Sequence, residues 1–262
     1  VNTTMQTTTN MRINANRQAA TIGTSTRKIA AAAGLLYLIT HVTSIGAVML
    51  YDPILKNTDY VLGTGSDAQV LVGTLFDIIL ALAIVGTAVA LFPIAKRQDE
   101  GIALGYVGLR TLEAGIIAIG VIPLLAVVTL RQLAGTAGTD AETLVTVSKA
   151  LVTFYNWTTL LGPGLVCGVN TVLMAYLMFT SRLVPRFIPI LGLVGGPLIF
   201  VITVAKMFGM FEPMSAWLGI AVIPIFAWEV TLAIRLITKG FKSSEPASEP
   251  ALTATNEVLS AV

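Results

Sequence analysis

Six stretches of this chain are long and apolar enough to decide its fold class before any motif is considered. A helix needs about 20 apolar residues to cross a hydrocarbon core about 30 Å thick. Residues 29–50, 69–94, 102–130, 160–180, 188–207 and 216–238 meet that length. The sequence therefore predicts an all-α fold, a polytopic transmembrane bundle of six spans. The first run is long for a signal-peptide core and no small-residue cleavage site follows it, so it reads as a retained helix. Composition agrees. The chain is 55% hydrophobic and only 11% charged, where soluble domains carry about a quarter charged residues. That excludes a disordered chain and argues against a soluble enzyme.

Residues 141–157 are harder to place. They are mostly apolar but include Glu142, Lys149, Tyr155, Asn156 and Trp157. Together with the fourth run they are too long for one crossing, and Tyr and Trp favour the membrane interface. The expectation is an amphipathic helix lying at the surface, joined to the fourth span at Gly162-Pro163-Gly164, with a re-entrant segment as the alternative. Residues 1–27 and 243–262 lack a sustained apolar period, and the latter repeat Ser-Glu-Pro. Both are expected to be disordered tails, flanking a membrane domain at 28–242.

Basic residues set the expected orientation, because cytoplasmic loops collect Lys and Arg. Eleven of the sixteen fall on one side of a six-span bundle, in the N-terminal tail, the loops after spans two and four, and the C-terminal end. Four fall on the other side (Lys56, Arg131, Lys149 and Lys206), and Arg110 lies within a span. Both termini are therefore expected in the cytoplasm of a multi-pass protein of the cell membrane, which requires an even number of spans. The net charge of +2 is too balanced for a nucleic-acid binder. One Cys excludes an intramolecular disulfide or Cys-cluster metal site, and one His excludes paired-His ligation. No catalytic residue, metal site or cofactor is expected.

Five ionisable side chains fall inside the spans: His41, Asp77, Arg110, Glu113 and Glu229. A charge at mid-membrane costs about 2.5–3.5 kcal/mol on insertion scales, so such groups face the interior and find partners. At 1.5 Å per residue, Arg110 and Glu229 lie roughly 13 Å from the terminal side, and Glu113 and His41 roughly 18 Å. Asp77 lies nearer the other side. Arg110 and Glu113, three apart, share a helix face. The plain reading is structural, with Arg110 paired to Glu229 or Glu113. The sharper reading counts charge. Three carboxylates with one Arg and a neutral His sum to −2, which a low-dielectric site resists unless a carboxyl stays protonated, Asp77 first because no basic residue shares its depth, or a proton or cation visits. Cys167, among Gly and Val, reads as a packed small hydrophobe. Gly101/Gly105, Gly164/Gly168 and Gly192/Gly196 make G-x-x-x-G spacings suited to close helix contact, and Pro123, Pro197 and Pro224 interrupt three spans.

Four segments resemble one bacterial membrane family, the domain of unknown function 4386. They are Ala32–Thr40 (AAGLLYLIT), the Arg-x-x-Glu of Arg110 and Glu113, Ser181–Pro197 (SRLVPRFIPILGLVGGP), and Glu229 followed by Lys239-Gly240-Phe241. The resemblance covers residues 28–242. It implies a polytopic protein and singles out Arg110, Glu113, Pro185, Arg186 and Glu229, but brings no activity. His41 falls outside the family pattern, which weighs against a His-centred mechanism. Arg182 stands where many members have Gly before the Pro-Arg turn, and is read as part of a cytoplasmic anchor formed by Arg182, Pro185 and Arg186.

The expected function is proton-coupled, small-solute or ion handling through the buried Asp/Glu/Arg cluster. The alternative is a non-catalytic accessory or sensor protein that binds a membrane-protein partner, lipid or a second copy of itself. An intramembrane enzyme ranks last, because no nucleophile–base pair or paired-Asp motif is visible. The lipid bilayer is the one certain contact, and a proton or small solute the expected ligand.

Overall fold

In a computed structural model of the chain, residues 2–134, 140–210 and 216–242 are described, with side chains for residues 26–134, 140–210 and 219–242. The described residues are helical, without a strand. Helix α1 spans Asn2–Leu50, and its apolar part, Thr26–Leu50, is the first crossing. After the short α2 (Asp52–Leu55) and a 3-10 turn (Tyr60–Leu62) come α3 (Asp67–Ala95) and α4 (Glu100–Leu133). Then follow α5 (Ala141–Thr159), a π-helical segment (Leu160–Val166), α6 (Cys167–Ser181), α7 (Phe187–Met207) and α8 (Ala216–Thr238). Six helices are long and apolar enough to cross a membrane, so this is a multi-pass helical membrane protein. Helix α1 begins at Asn2, within the stretch 1–27 expected to be a disordered tail; up to Thr26 that stretch has no proline and only Gly23 to interrupt a helix. The expected C-terminal tail, 243–262, lies outside the described residues.

The spans close into a ring. α1 packs on α3, α3 on α4, α4 on α5 and α6, α6 on α7, α7 on α8, and α8 back on α1. The closure places the start of the first span beside the end of the last. The Arg27 guanidinium donates to the carbonyls of Ile237 and Thr238 at 2.9 and 2.8 Å, capping the free carbonyls at the end of α8. That end of the bundle is the terminal face, and the opposite end is the distal face. Helix starts at both faces are capped by carboxylates. Asp99 accepts from the Ile102 amide at 2.9 Å and Asp140 from the Thr143 amide at 3.1 Å, each satisfying one orphan N–H.

The fourth span corrects the surface-helix expectation. α5, the π-helical segment and α6 form one continuous path, Ala141–Ser181. It runs antiparallel to α4 and packs along it instead of forming a separate helix joined at Gly162-Pro163-Gly164. Leu144 packs with Val127 and Val128, Tyr155 and Thr158 meet Gly120, Gly162 meets Ile116, and Leu173 meets Gly105. The buried positions of α5 are Leu144, Ser148, Tyr155 and Thr158, a helical stripe turned toward the neighbouring helix. The amphipathic pattern of residues 141–157 thus comes from helix packing. At 41 residues the path is about 60 Å long, twice the hydrocarbon thickness, so it extends beyond the apolar slab. Pro163 has no N–H to give, and the chain absorbs this by widening one turn. The Cys167 amide donates to Gly162 O, five residues back, a π-bulge of the kind that gathers at functional sites.

Two aromatic-rich cores fill the ring. The terminal-side core contains Tyr37, Leu91, Tyr106, Met174, Trp228 and Leu232. The distal core contains Tyr51, Tyr60, Val70, Leu124, Val127 and Tyr155. Glycines let α6 and α7 touch. A Cβ on Gly168 would sit 2.8 Å from Gly196 O, and one on Gly196 would sit 2.7 Å from Gly168 O, so backbone meets backbone there. The Gly101/Gly105 spacing makes no such approach: a Cβ on Gly105 meets only Leu173 at 3.2 Å. Distally, Arg131 pairs with Asp67 at 2.9 Å, donates to the carbonyls of Gly63, Thr64 and Gly65, and lies 4.6 Å over the Tyr60 ring. Burial and a hydrogen bond to Asp67 push the Tyr60 hydroxyl up to about 12.

The turn between α6 and α7 holds a side chain in a conformation that favours glycine. Arg182 adopts φ 53°, the left-handed region in which a side chain is strained and Gly is not. The chain then passes through buried Leu183 and Val184, whose neighbourhood is pinned by the Lys242 amide donating to Leu183 O at 2.8 Å. The Pro185 carbonyl accepts from the Ile188 amide at 3.0 Å, opening α7, and Arg186 lies 5.4 Å over the Phe179 ring.

Candidate functional site

Between the two cores the ring is polar. Arg110, on α4, sits at its centre and reaches three other spans. Its Nη1 donates to Glu113 Oε2 at 3.2 Å and its Nη2 to Thr87 Oγ1 of α3 at 3.3 Å. Nη2 also lies 3.7 Å from Glu229 Oε1 of α8. The guanidinium carbon is 5.4 Å from the Tyr37 ring centroid on α1 and 5.8 Å from that of Tyr106, and the two hydroxyls bond each other at 2.8 Å. Its buried Nε has no hydrogen-bond partner; the ring faces offset part of that loss. Glu113 accepts a second bond from Asn170 Nδ2 of α6 at 2.7 Å.

The other half of the cluster is Glu229 with His41. His41 Nε2 lies 3.5 Å from Glu229 Oε2, and the His41 ring meets Phe226 edge-on at 4.9 Å. His41 Nδ1 bonds Tyr37 O at 2.8 Å. A carbonyl only accepts, so Nδ1 carries the ring hydrogen. In the neutral ring Nε2 is then a bare acceptor facing a carboxylate. Exposure divides the cluster: the Arg110 and Glu113 side chains are 3% and 4% exposed, His41 and Glu229 14% and 13%.

A cavity of about 150 Å³ lies on the distal side of this layer. Thr40, His41 and Ser44 line it from α1, and Arg110, Glu113 and Glu229 form its polar floor. Leu80, Ile84, Ile117, Pro163 and Cys167 make the apolar wall. The π-bulge therefore borders the site. On the terminal side of the layer the bonded Tyr37–Tyr106 pair and Trp228 are buried.

Of the five ionisable groups expected in one cluster, the structure brings four together: His41, Arg110, Glu113 and Glu229. Asp77 stands apart. It accepts from Tyr51 Oη at 2.8 Å within the distal core, where Tyr155 packs edge-on against Tyr51 at 5.5 Å. Without Asp77, two carboxylates face one Arg and one neutral His, and the sum is −1 rather than −2. Depth along a helix is legible from residue number, and Asp77, nearer the distal face, lies apart from the other four in depth. Sequence reasoning also missed Asn170, Thr87, Tyr37 and Tyr106. A usable signal existed for three of them. Asn170 is an amide within an apolar span, and Tyr37 and Tyr106 stand four residues before His41 and Arg110, on the same helix faces. Cys167 is buried against Ile199 and Ile225 as a small hydrophobe, with its sulfur 3.9 Å from Thr171 Oγ1.

No curated protein and no solved structure matches the chain. The resemblance seen in its motifs extends over nearly the whole described bundle: the chain belongs to the family described as Domain of unknown function (DUF4386), which matches residues 32–240.

Proposed function

We propose that this membrane protein handles protons together with a small solute, and that Glu229 and His41 are the groups that bind the proton. The observation that carries this reading is the 3.5 Å approach of His41 Nε2 to Glu229 Oε2, with the ring hydrogen held on Nδ1 by Tyr37 O. Two acceptors face each other there. One proton between them makes a charge-assisted hydrogen bond and brings the cluster from −1 to zero. The charged neighbours are Arg110 and Glu113 of α4; Thr87 of α3 and Asn170 of α6 bring neutral polar groups. Arg110 holds Glu113 in a buried pair, so the proton goes to the more exposed half. The bias of basic residues supports a cytoplasmic terminal face in the cell membrane, with the cavity turned away from the cytoplasm.

The test is collapse of an imposed pH gradient in proteoliposomes, read with an entrapped indicator over a panel of small amines, carboxylates and neutral solutes. Relative to protein-free vesicles, at least one solute should accelerate the collapse with wild type and with Asp77→Asn. Glu229→Gln should abolish the effect. A folded wild-type protein that moves protons with no solute of the panel, or a Glu229→Gln variant that works as well as wild type, refutes the reading.

A further inference from the structure

Deepening that reading and resting on it, we infer that the solute is a small primary ammonium ion with a short apolar tail, its charged end held by Glu229 and His41. Apart from Arg110, whose side chain is 3% exposed, the polar groups that line the cavity beside Glu229 are acceptors. The Ser44 hydroxyl donates to His41 O at 3.2 Å and the Thr40 hydroxyl to Tyr37 O at 2.8 Å, so both turn only lone pairs to a ligand. His41 Nε2 is bare in the neutral ring, and Glu229 only accepts. The strong donors of the layer face the protein itself: Arg110 Nη1 donates to Glu113 and Nη2 to Thr87 beside Glu229, Asn170 donates to Glu113, and the one unpartnered donor, Arg110 Nε, is buried. An ammonium brings three donors and a carboxylate none.

Charge and shape point the same way. An occupant of +1 neutralises the −1 of the cluster, whereas an anion would meet Glu229 before it met Arg110, because the Glu229 side chain is 13% exposed and the Arg110 side chain 3%. Opposite the carboxylate, Leu80, Ile84, Ile117 and Pro163 offer nothing to a second polar group, so the remainder of the ligand is hydrocarbon. A volume of about 150 Å³ is that of a benzene-sized cavity, room for about six non-hydrogen atoms. n-Butylammonium, with about five, fits that limit; tetrabutylammonium does not.

Calorimetric titration of the purified full chain in detergent tests this with n-butylammonium, n-butanol, butyrate and tetrabutylammonium. n-Butylammonium should bind saturably and the other three should not. Glu229→Gln should weaken it about ten- to hundredfold, the size of a lost hydrogen bond to a charged group. Ile117→Phe, which fills the cavity from its apolar wall, should weaken it by a comparable factor. Melting curves establish that each variant is folded. Butyrate or butanol binding as tightly as n-butylammonium overturns the inference, as does unchanged affinity in both folded variants. Absence of n-butylammonium binding to folded wild type overturns this ligand as well. If the liposome assay still shows Glu229-dependent proton movement with a different solute, the proton reading stands and the ammonium alone is refuted.

Discussion

Removing Arg110 should cost far more stability while Glu113 is charged than after Glu113 has been neutralised. In a medium of effective dielectric about 20, unit charges at the observed 3.2 Å attract by about 5 kcal/mol, and at the 3.7 Å of Arg110 to Glu229 by about 4.5 kcal/mol. Desolvation offsets much of that in the intact cluster, but the penalty remains when one partner leaves. Arg110→Met strands Glu113, 3% exposed with only Asn170 still donating to it, and takes the cluster to −2. The expected cost is about 3–5 kcal/mol. Glu113→Gln keeps an acceptor for Asn170 and leaves Arg110 paired with Glu229, so about 1–2 kcal/mol is expected. In the double variant the buried charges leave together, and the remaining Glu229 is the more exposed carboxylate with His41 beside it. The double cost should fall about 2 kcal/mol or more short of the summed single costs. Reversible unfolding in mixed detergent micelles, or steric trapping in bicelles, gives all three values. Additivity within about 0.5 kcal/mol would mean that the two side chains do not act as a pair.

Two further outcomes follow from the backbone. Ala at Gly168 or Gly196 places a methyl 2.8 or 2.7 Å from the partner helix's carbonyl oxygen; neither backbone can yield, and each substitution should cost about 1–3 kcal/mol. Gly108→Ala and Gly115→Ala meet nothing within 4 Å and should be neutral or stabilising by up to about 1 kcal/mol; a thermal-melt series in one detergent separates the two classes, and equal effects at all four positions would discredit the close approach of α6 and α7. Arg182→Gly relieves a side chain held at φ 53° and should raise stability by about 1 kcal/mol, near the low end of the left-handed penalty. A lower melting temperature for that variant would show that the Arg182 side chain contributes more than its backbone strain costs.

The spans were legible because lipid accepts no substitute for about 20 apolar residues, and the six limits shift by only a few residues in five of the six helices. Span four was misread for a physical reason. An apolar stripe is the same pattern whether it faces a bilayer surface or a neighbouring helix, and Leu144, Tyr155 and Thr158 meet α4. Pro163 was read as a joint between two elements, but a helix can also take up a missing N–H by a single π turn, and the sequence does not distinguish these. In the polar layer, depth arithmetic grouped Arg110, Glu113, Glu229 and His41 because rise per residue is fixed. It gave no means of seeing that ring closure turns Asn170 and Thr87 inward, or that Asp77 is taken up by Tyr51.

The structural and chemical readings of the buried charges, alternatives when only the sequence is considered, describe different halves of one cluster. Arg110 and Glu113 are dry, tied to each other and to Thr87 and Asn170 from neighbouring spans. On the structural reading, these bonds hold α3, α4 and α6 together. Glu229 and His41 have the reverse character. They are the more exposed pair, 3.5 Å apart without a hydrogen-bond donor between them when the ring is neutral, and they border the cavity. Arg110 joins the halves, because its Nη2 also approaches Glu229 and cancels one of the two negative charges. On the proposed reading, the one unmatched charge is what a proton or an ammonium would balance, and the half of the cluster that carries it borders the cavity.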